Sequence, residues 1–166
     1  MTENRQGLQV ALRTGLALLA CLLLDVSRQV AADEVDDTAL TFVQERKLGD
    51  GLAWLGYQVA SRTTAFASIV DAVGKTEAQE LVQRELQRLQ PDYQAEWDRH
   101  LANAYAHSFS ADELRSLSQG DGSSSVVNKF RARNTQVSAE MKASSSALLE
   151  RYVSKALGNA QNILKQ

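Results

Sequence analysis

Pro91 is the only proline in a chain of 166 residues. A chain of this length built from strands needs many turns, and turns draw heavily on proline and glycine. Long helices need neither, and a proline in a helix interior removes a hydrogen bond and clashes with the preceding turn. The near-absence of proline therefore predicts an all-α fold. Hydrophobic residues make up 44% of the chain and charged residues 23%. That balance is ordinary for a globular protein and sufficient for a packed core. The length suits one domain, with or without a processed leader.

The N-terminal segment has a different character. Arg5 and Arg13 precede an apolar run from Thr14 to Leu24. At about eleven residues the run suits the apolar centre of a signal peptide and falls short of the roughly 20 needed to span a bilayer. Asp25, Ser27, Arg28 and Gln29 close it, and Val30-Ala31-Ala32 supplies the small residues a signal peptidase reads. The expectation is a signal peptide over residues 1–32, a single helical domain over 33–166, and a periplasmic location. A buried N-terminal core helix is the competing reading. Leu18-Leu19-Ala20-Cys21 also resembles a lipoprotein cleavage box, which would leave the protein anchored through Cys21. Against that route, the apolar run continues past the cysteine to Leu24. If Cys21 leaves with the leader, the mature chain has no thiol, no disulfide and no cysteine-ligated metal.

The formal net charge is −2. Residues 1–32 carry three arginines and two acids, so their removal leaves about −3. A nucleic-acid binder would show a basic excess, and so would a protein drawn to an anionic membrane. Neither partner is expected, and neither is a membrane-spanning segment in the mature chain.

Apolar spacing then divides the mature segment. Leu40, Val43 and Leu48 mark a helix from Ala39 to Leu48, stopped by Gly49-Asp50-Gly51. Leu52, Leu55, Val59, Phe66, Ile69 and Val73 follow at three- and four-residue steps, with Arg62 at the missing step, and predict one continuous helix. Gly74 is its stop, and Thr76 with Gln79 reads as a capping box for the next helix. That helix carries Leu81, Val82, Leu86 and Leu89. Beyond Pro91 the stripe resumes at Tyr93, Trp97, Leu101 and Ala104, so the spacing predicts either a kinked helix or a new one with Pro91 in its first turn. Ser110 and Glu113 form a second capping box, opening a short helix to about Leu117. After the loop Gln119–Ser125, Val126, Phe130, Val137, Met141, Leu148 and Tyr152 mark a helix that would reach about 60 Å if unbroken. A bend near Ser144–Ser146 is expected, because serines compete for backbone hydrogen bonds. The sum is a bundle of about five helices, with Phe66 and Trp97 buried on the strongest stripes.

Candidate chemistry is sparse. Glu96, His100 and His107 share one flank of the Pro91 helix with Asn103. A carboxylate and two imidazoles could bind a divalent metal or move a proton. His100 and His107 are two turns apart, however, about 10.5 Å along the axis, which is too far for both to reach one ion. No metal site is therefore expected from this flank alone. Arg62 is a charge on an apolar stripe, so it either reaches water beside Thr63 or lines a pocket for an anion. Gly120–Ser125 lacks the Gly-Lys-Ser/Thr ending of a phosphate-binding loop. Lys129, Arg131 and Arg133 sit at steps of two, which spread around a helix and suggest a solvated face. No serine has a histidine and an acid at a recognisable hydrolase spacing.

His107-Ser108-Phe109-Ser110-Ala111-Asp112-Glu113-Leu114 resembles the centre of the bacterial domain-of-unknown-function family 2059. Members carry a secretion leader, then helices, then an aromatic residue and Ser/Thr before an acidic Glu-Leu helix start. The likeness in layout runs from Trp97 to about Leu149. The family next has an aromatic pair and Ser-Pro-x-Gly, where this chain has Gly120 to Val126 and only Ser123 fits, so the resemblance is that of a divergent member. It implies a periplasmic helical domain and carries over no catalytic residue and no cofactor.

Three functions follow as expectations. The first is a non-enzymatic periplasmic binding or interaction module acting through its apolar stripes. The second is a small-ligand carrier with an internal pocket around Arg62 or the histidine flank. The third is a metal-dependent hydrolase. An open apolar groove favours the first, and a closed cavity with convergent polar groups the second.

Overall fold

A computed structural model describes residues 32–166, which form six helices and no strand. The all-α bundle predicted from the sequence is what forms. The expected leader, apart from Ala32, and Cys21 lie outside the described residues. No helix among the described residues is long and apolar enough to cross a membrane.

Helix α1 covers residues 32–45 and so begins well before Ala39. It stops at Lys47, not at the glycines. Lys47 takes the left-handed conformation (φ 53°). Leu48 N–H donates to Val43 O at 2.9 Å and Lys47 N–H to Gln44 O at 3.1 Å, which is the hydrogen-bond pattern of a Schellman terminus.

The stripe from Leu52 to Val73 does not make one helix. It divides into α2 (Leu52–Ala60) and α3 (Thr64–Val73). Thr63 turns extended at φ −94°, ψ 154°, and its hydroxyl accepts from Phe66 N–H at 3.1 Å. A threonine that can satisfy an orphan amide outcompetes a stripe whose seam would have to bury Arg62. Gly74 (φ 84°) then joins α3 directly to α4 (Lys75–Ala106), in a backbone conformation that favours glycine. The Thr76–Gln79 box does not form. Gly74 is the N-cap, and the Gln79 amide instead donates to Tyr57 Oη at 2.6 Å, tying α4 to α2.

Of the two readings at Pro91, the continuous one is found: α4 runs through it for 32 residues. The Ser110–Glu113 capping box forms and opens α5 (Ala111–Gln119). Helix α6 (Ser124–Ile163) is 40 residues long and stays helical through its serine cluster. The Ser144 and Ser145 hydroxyls donate to Met141 O at 3.2 and 2.6 Å, a back-bonding that leaves the ladder in place.

Rising positions on α4 meet falling positions on α6. Glu85 bonds Asn159, Leu86 bonds Tyr152, Glu96 bonds Arg151 and His107 faces Glu140. The two long helices are therefore antiparallel, and α2 and α3 lie against both. Leu52, Ile69, Val82, Leu86, Leu148 and Tyr152 are fully buried between them. Phe66 and Trp97 are 8% and 7% exposed, as their stripes predict. At the α4–α5 corner Phe42, Tyr105, Phe109 and Phe130 pack as an aromatic cluster, with centroids 5.2 to 6.5 Å apart.

Candidate functional site

The histidine flank separates into two polar contacts, each completed by α6. Glu96 Oε1 accepts from Arg151 Nη2 at 3.0 Å and lies 3.8 Å from His100 Nε2. His107 Nδ1 lies 3.1 Å from Glu140 Oε2. Glu140 also accepts from the Gln136 amide at 2.9 Å. That bond first, and His107 second, hold its carboxyl below the usual carboxylate range. His100, Asn103 and His107 border a hollow of about 250 Å³ with Glu140. Among the described residues no three His, Cys, Asp or Glu side chains converge as metal ligands. Glu96 is engaged with Arg151, so the first step of the proposed flank is already neutralised. Arg62 is exposed in the α2–α3 turn, beside Thr63.

Lys129 does not belong to a free basic face. Its ammonium binds both oxygens of Glu113 at 2.9 and 2.6 Å and lies 5.2 Å from the centre of the Phe109 ring. Lys129, followed by the Ser110 amide, lowers the Glu113 carboxyl from its ordinary value.

A larger and more apolar concavity than this hollow lies elsewhere. It is a groove of about 770 Å³ between α2, α4 and α6, within the range of small-molecule pockets. Leu55 and Val59 form one wall, Trp97, Leu101 and Tyr105 the second, and Val137, Met141, Leu149, Val153 and Leu157 the third. Ser138, Ser145, Ser146 and Ser154 stand between the large residues of α6. Lys142, Glu150 and Asn134 are the other polar residues of α6 that border it. Ser145 is buried, and with its hydroxyl donating to Met141 O it presents little more than a small apolar surface.

Leu55, Val59, Trp97, Leu101, Val137 and Met141 were legible as stripe positions, whereas Tyr105, Leu149, Val153 and Leu157 were not. The opening to a groove was not legible either, because a stripe says which face is apolar and not whether a neighbour covers it. The readable signal was the four serines beside the α6 stripe, which lower the floor where larger side chains would close it. Arg62 is absent from the lining, although Thr63 is part of it. His100 and His107 border the smaller hollow instead.

Comparison of the chain with known protein families, with curated proteins and with solved structures finds no match.

Proposed function

We propose that the protein is an exported, non-enzymatic binding module whose working surface is the groove between α2, α4 and α6. The observation that carries this reading is the groove itself, about 770 Å³ with mainly apolar walls. Apolar surface left open on a folded domain marks a place where something binds. The groove supports binding more than chemistry, because its acid and its base, Glu150 and Lys142, are both exposed and eight residues apart. An open trough on long helices also favours this reading over a carrier with an internal pocket around Arg62 or the histidines. The periplasmic location rests on the apolar run Thr14–Leu24 and on Val30-Ala31-Ala32, in keeping with the resemblance to the secreted family.

The test uses Nile red, an uncharged apolar dye. The protein should enhance and blue-shift its emission, and Ser146→Phe, which fills the groove from an exposed lining position, should abolish the effect. Circular dichroism of the variant should be unchanged. No enhancement with the native protein, or full enhancement with a folded Ser146→Phe variant, would remove the groove from its proposed role. The compartment is tested separately by the intact mass of the secreted species, which should begin at Asp33. A lipid-modified species beginning at Cys21 would instead mean membrane anchoring.

A further inference from the structure

The groove has a length and a charge pattern as well as a volume. Its lining on α6 runs from Asn134 to Leu157, about 35 Å at 1.5 Å per residue. A helix of that span is a cylinder about 10 Å across, occupying roughly 2,700 Å³. The groove holds about 770 Å³. A partner helix would stand mostly outside it, whereas a slender chain fits within.

Lys142 is the one cationic residue in the lining and Glu150 the one anionic residue. Lys142 has no ion-pair partner among the described residues. The two charges are eight residues apart, about 12 Å along the axis. That exceeds the screening length of about 8 Å at physiological ionic strength, so Glu150 weakly opposes an anion at Lys142. From Lys142 to Leu157 the lining continues for about 22 Å, past Ser145, Leu149 and Val153. The Ser145 hydroxyl is engaged within its own helix, so Ser145 places no hydrogen-bonding demand on a tail lying over it, and Ser146, Glu150 and Ser154 are the polar residues of this stretch. The lining thus offers one cation at the rim and, on its C-terminal side, a mainly apolar track along Leu149, Val153 and Leu157.

Building on the binding reading above, we propose that the groove takes a single long-chain fatty carboxylate, with its headgroup at Lys142 and its tail extended towards Leu157. Trp97 lines the groove and reports on occupancy. The second tryptophan, Trp54, is 67% exposed and outside the lining, so Trp54→Phe removes its background signal.

The experiment titrates palmitate, laurate and hexadecanol into the full chain carrying Trp54→Phe, reading Trp97 fluorescence. Palmitate should bind one to one. Each pair of methylenes removed should weaken binding roughly tenfold, so laurate binds about a hundredfold more weakly. Lys142→Gln should weaken palmitate by about threefold to fivefold and leave hexadecanol unchanged. Equal affinities for palmitate and laurate, or a palmitate affinity indifferent to Lys142→Gln, would overturn the proposal. So would a dimer in solution that binds neither ligand, since the groove would then be covered by a second copy. If Nile red binds and is displaced by Ser146→Phe while palmitate does not bind, the ligand class is wrong and the groove reading stands. If neither binds, both fall.

Discussion

The Tyr152 hydroxyl donates to the Leu86 carbonyl at 2.6 Å, joining α6 to α4. The acceptor is one residue before Gln87, the carbonyl that Pro91 leaves without its helical amide. A short, buried cross-helix bond of the core thus sits beside the one position where the α4 ladder must lose a donor. Burial, and then Tyr93, push the Tyr152 phenol up to about 12.

That shift gives stability an alkaline limb. Unfolded tyrosine loses its proton near pH 10, and folded Tyr152 keeps its proton to about pH 12. The contribution is complete below pH 10 and is lost as pH rises through 12, on the order of 2 kcal/mol. Tyr152→Phe should remove this limb and cost about 1 kcal/mol at neutral pH. Urea unfolding from pH 7 to 12 checks both; an unchanged alkaline limb in the variant would assign it to another group.

Gly56 faces the same tyrosine. A Cβ added there would lie 2.8 Å from Tyr152 Cε1 and 3.0 Å from Leu86 Cδ2. Alanine gains helix propensity of about 1 kcal/mol over glycine in an open helix, but here overpacking costs about 1–3 kcal/mol. Gly56→Ala should therefore lower the urea midpoint, and a raised midpoint would show that α2 shifts freely away from α6.

Lys47 supplies the opposite case. Its left-handed backbone (φ 53°) carries a side chain at a Schellman position that ordinarily holds glycine. Lys47→Gly should stabilise the protein by about 1 kcal/mol, read as an increase in thermal midpoint.

Glu85 governs the acid side. It is 6% exposed, and its Oε2 accepts from Arg88 Nη2 at 2.7 Å and from Asn159 Nδ2 at 3.1 Å. The Arg88 hydrogen bond, opposed by burial and aided by Asn159, lowers its carboxyl below the ordinary value. A lowered carboxylate contributes fully above the unfolded value of about 4.3 and loses that contribution as pH falls through the folded one. Glu85→Gln should cost about 1–3 kcal/mol at pH 7 and flatten the decline in stability below pH 4.3. Equal slopes for the two proteins in acid would remove Glu85 from the account.

Fold class was legible because it rests on global features: one proline, sustained three-and-four spacing, and a capping box at Ser110 that formed as read. The failures share a cause. At Thr63 and Lys47 local hydrogen bonding competes with the apolar pattern, and one side-chain oxygen or one left-handed residue suffices to end a helix, whereas Gly74 ends α3 where the sequence placed its stop. Thr76 with Gln79 fits a capping spacing, yet Gln79 is drawn to Tyr57 by packing that spacing does not encode. The groove was the least legible feature. Leu55, Trp97 and Val153 announce themselves as apolar, but only their three-dimensional arrangement leaves a side uncovered.

The antiparallel pairing of α4 with α6 also orders the chain in time. His107 and Glu140 are 33 residues apart, whereas Glu85 and Asn159 are 74 apart. Each doubling of a loop adds about 0.6 kcal/mol of closure entropy. The corner holding Tyr105, Phe109 and Phe130 is therefore the least costly place to begin, and the helices can zip from it towards the distant end. Kinetics of Phe109→Leu should show slowed folding, while Asn159→Ala should mainly hasten unfolding.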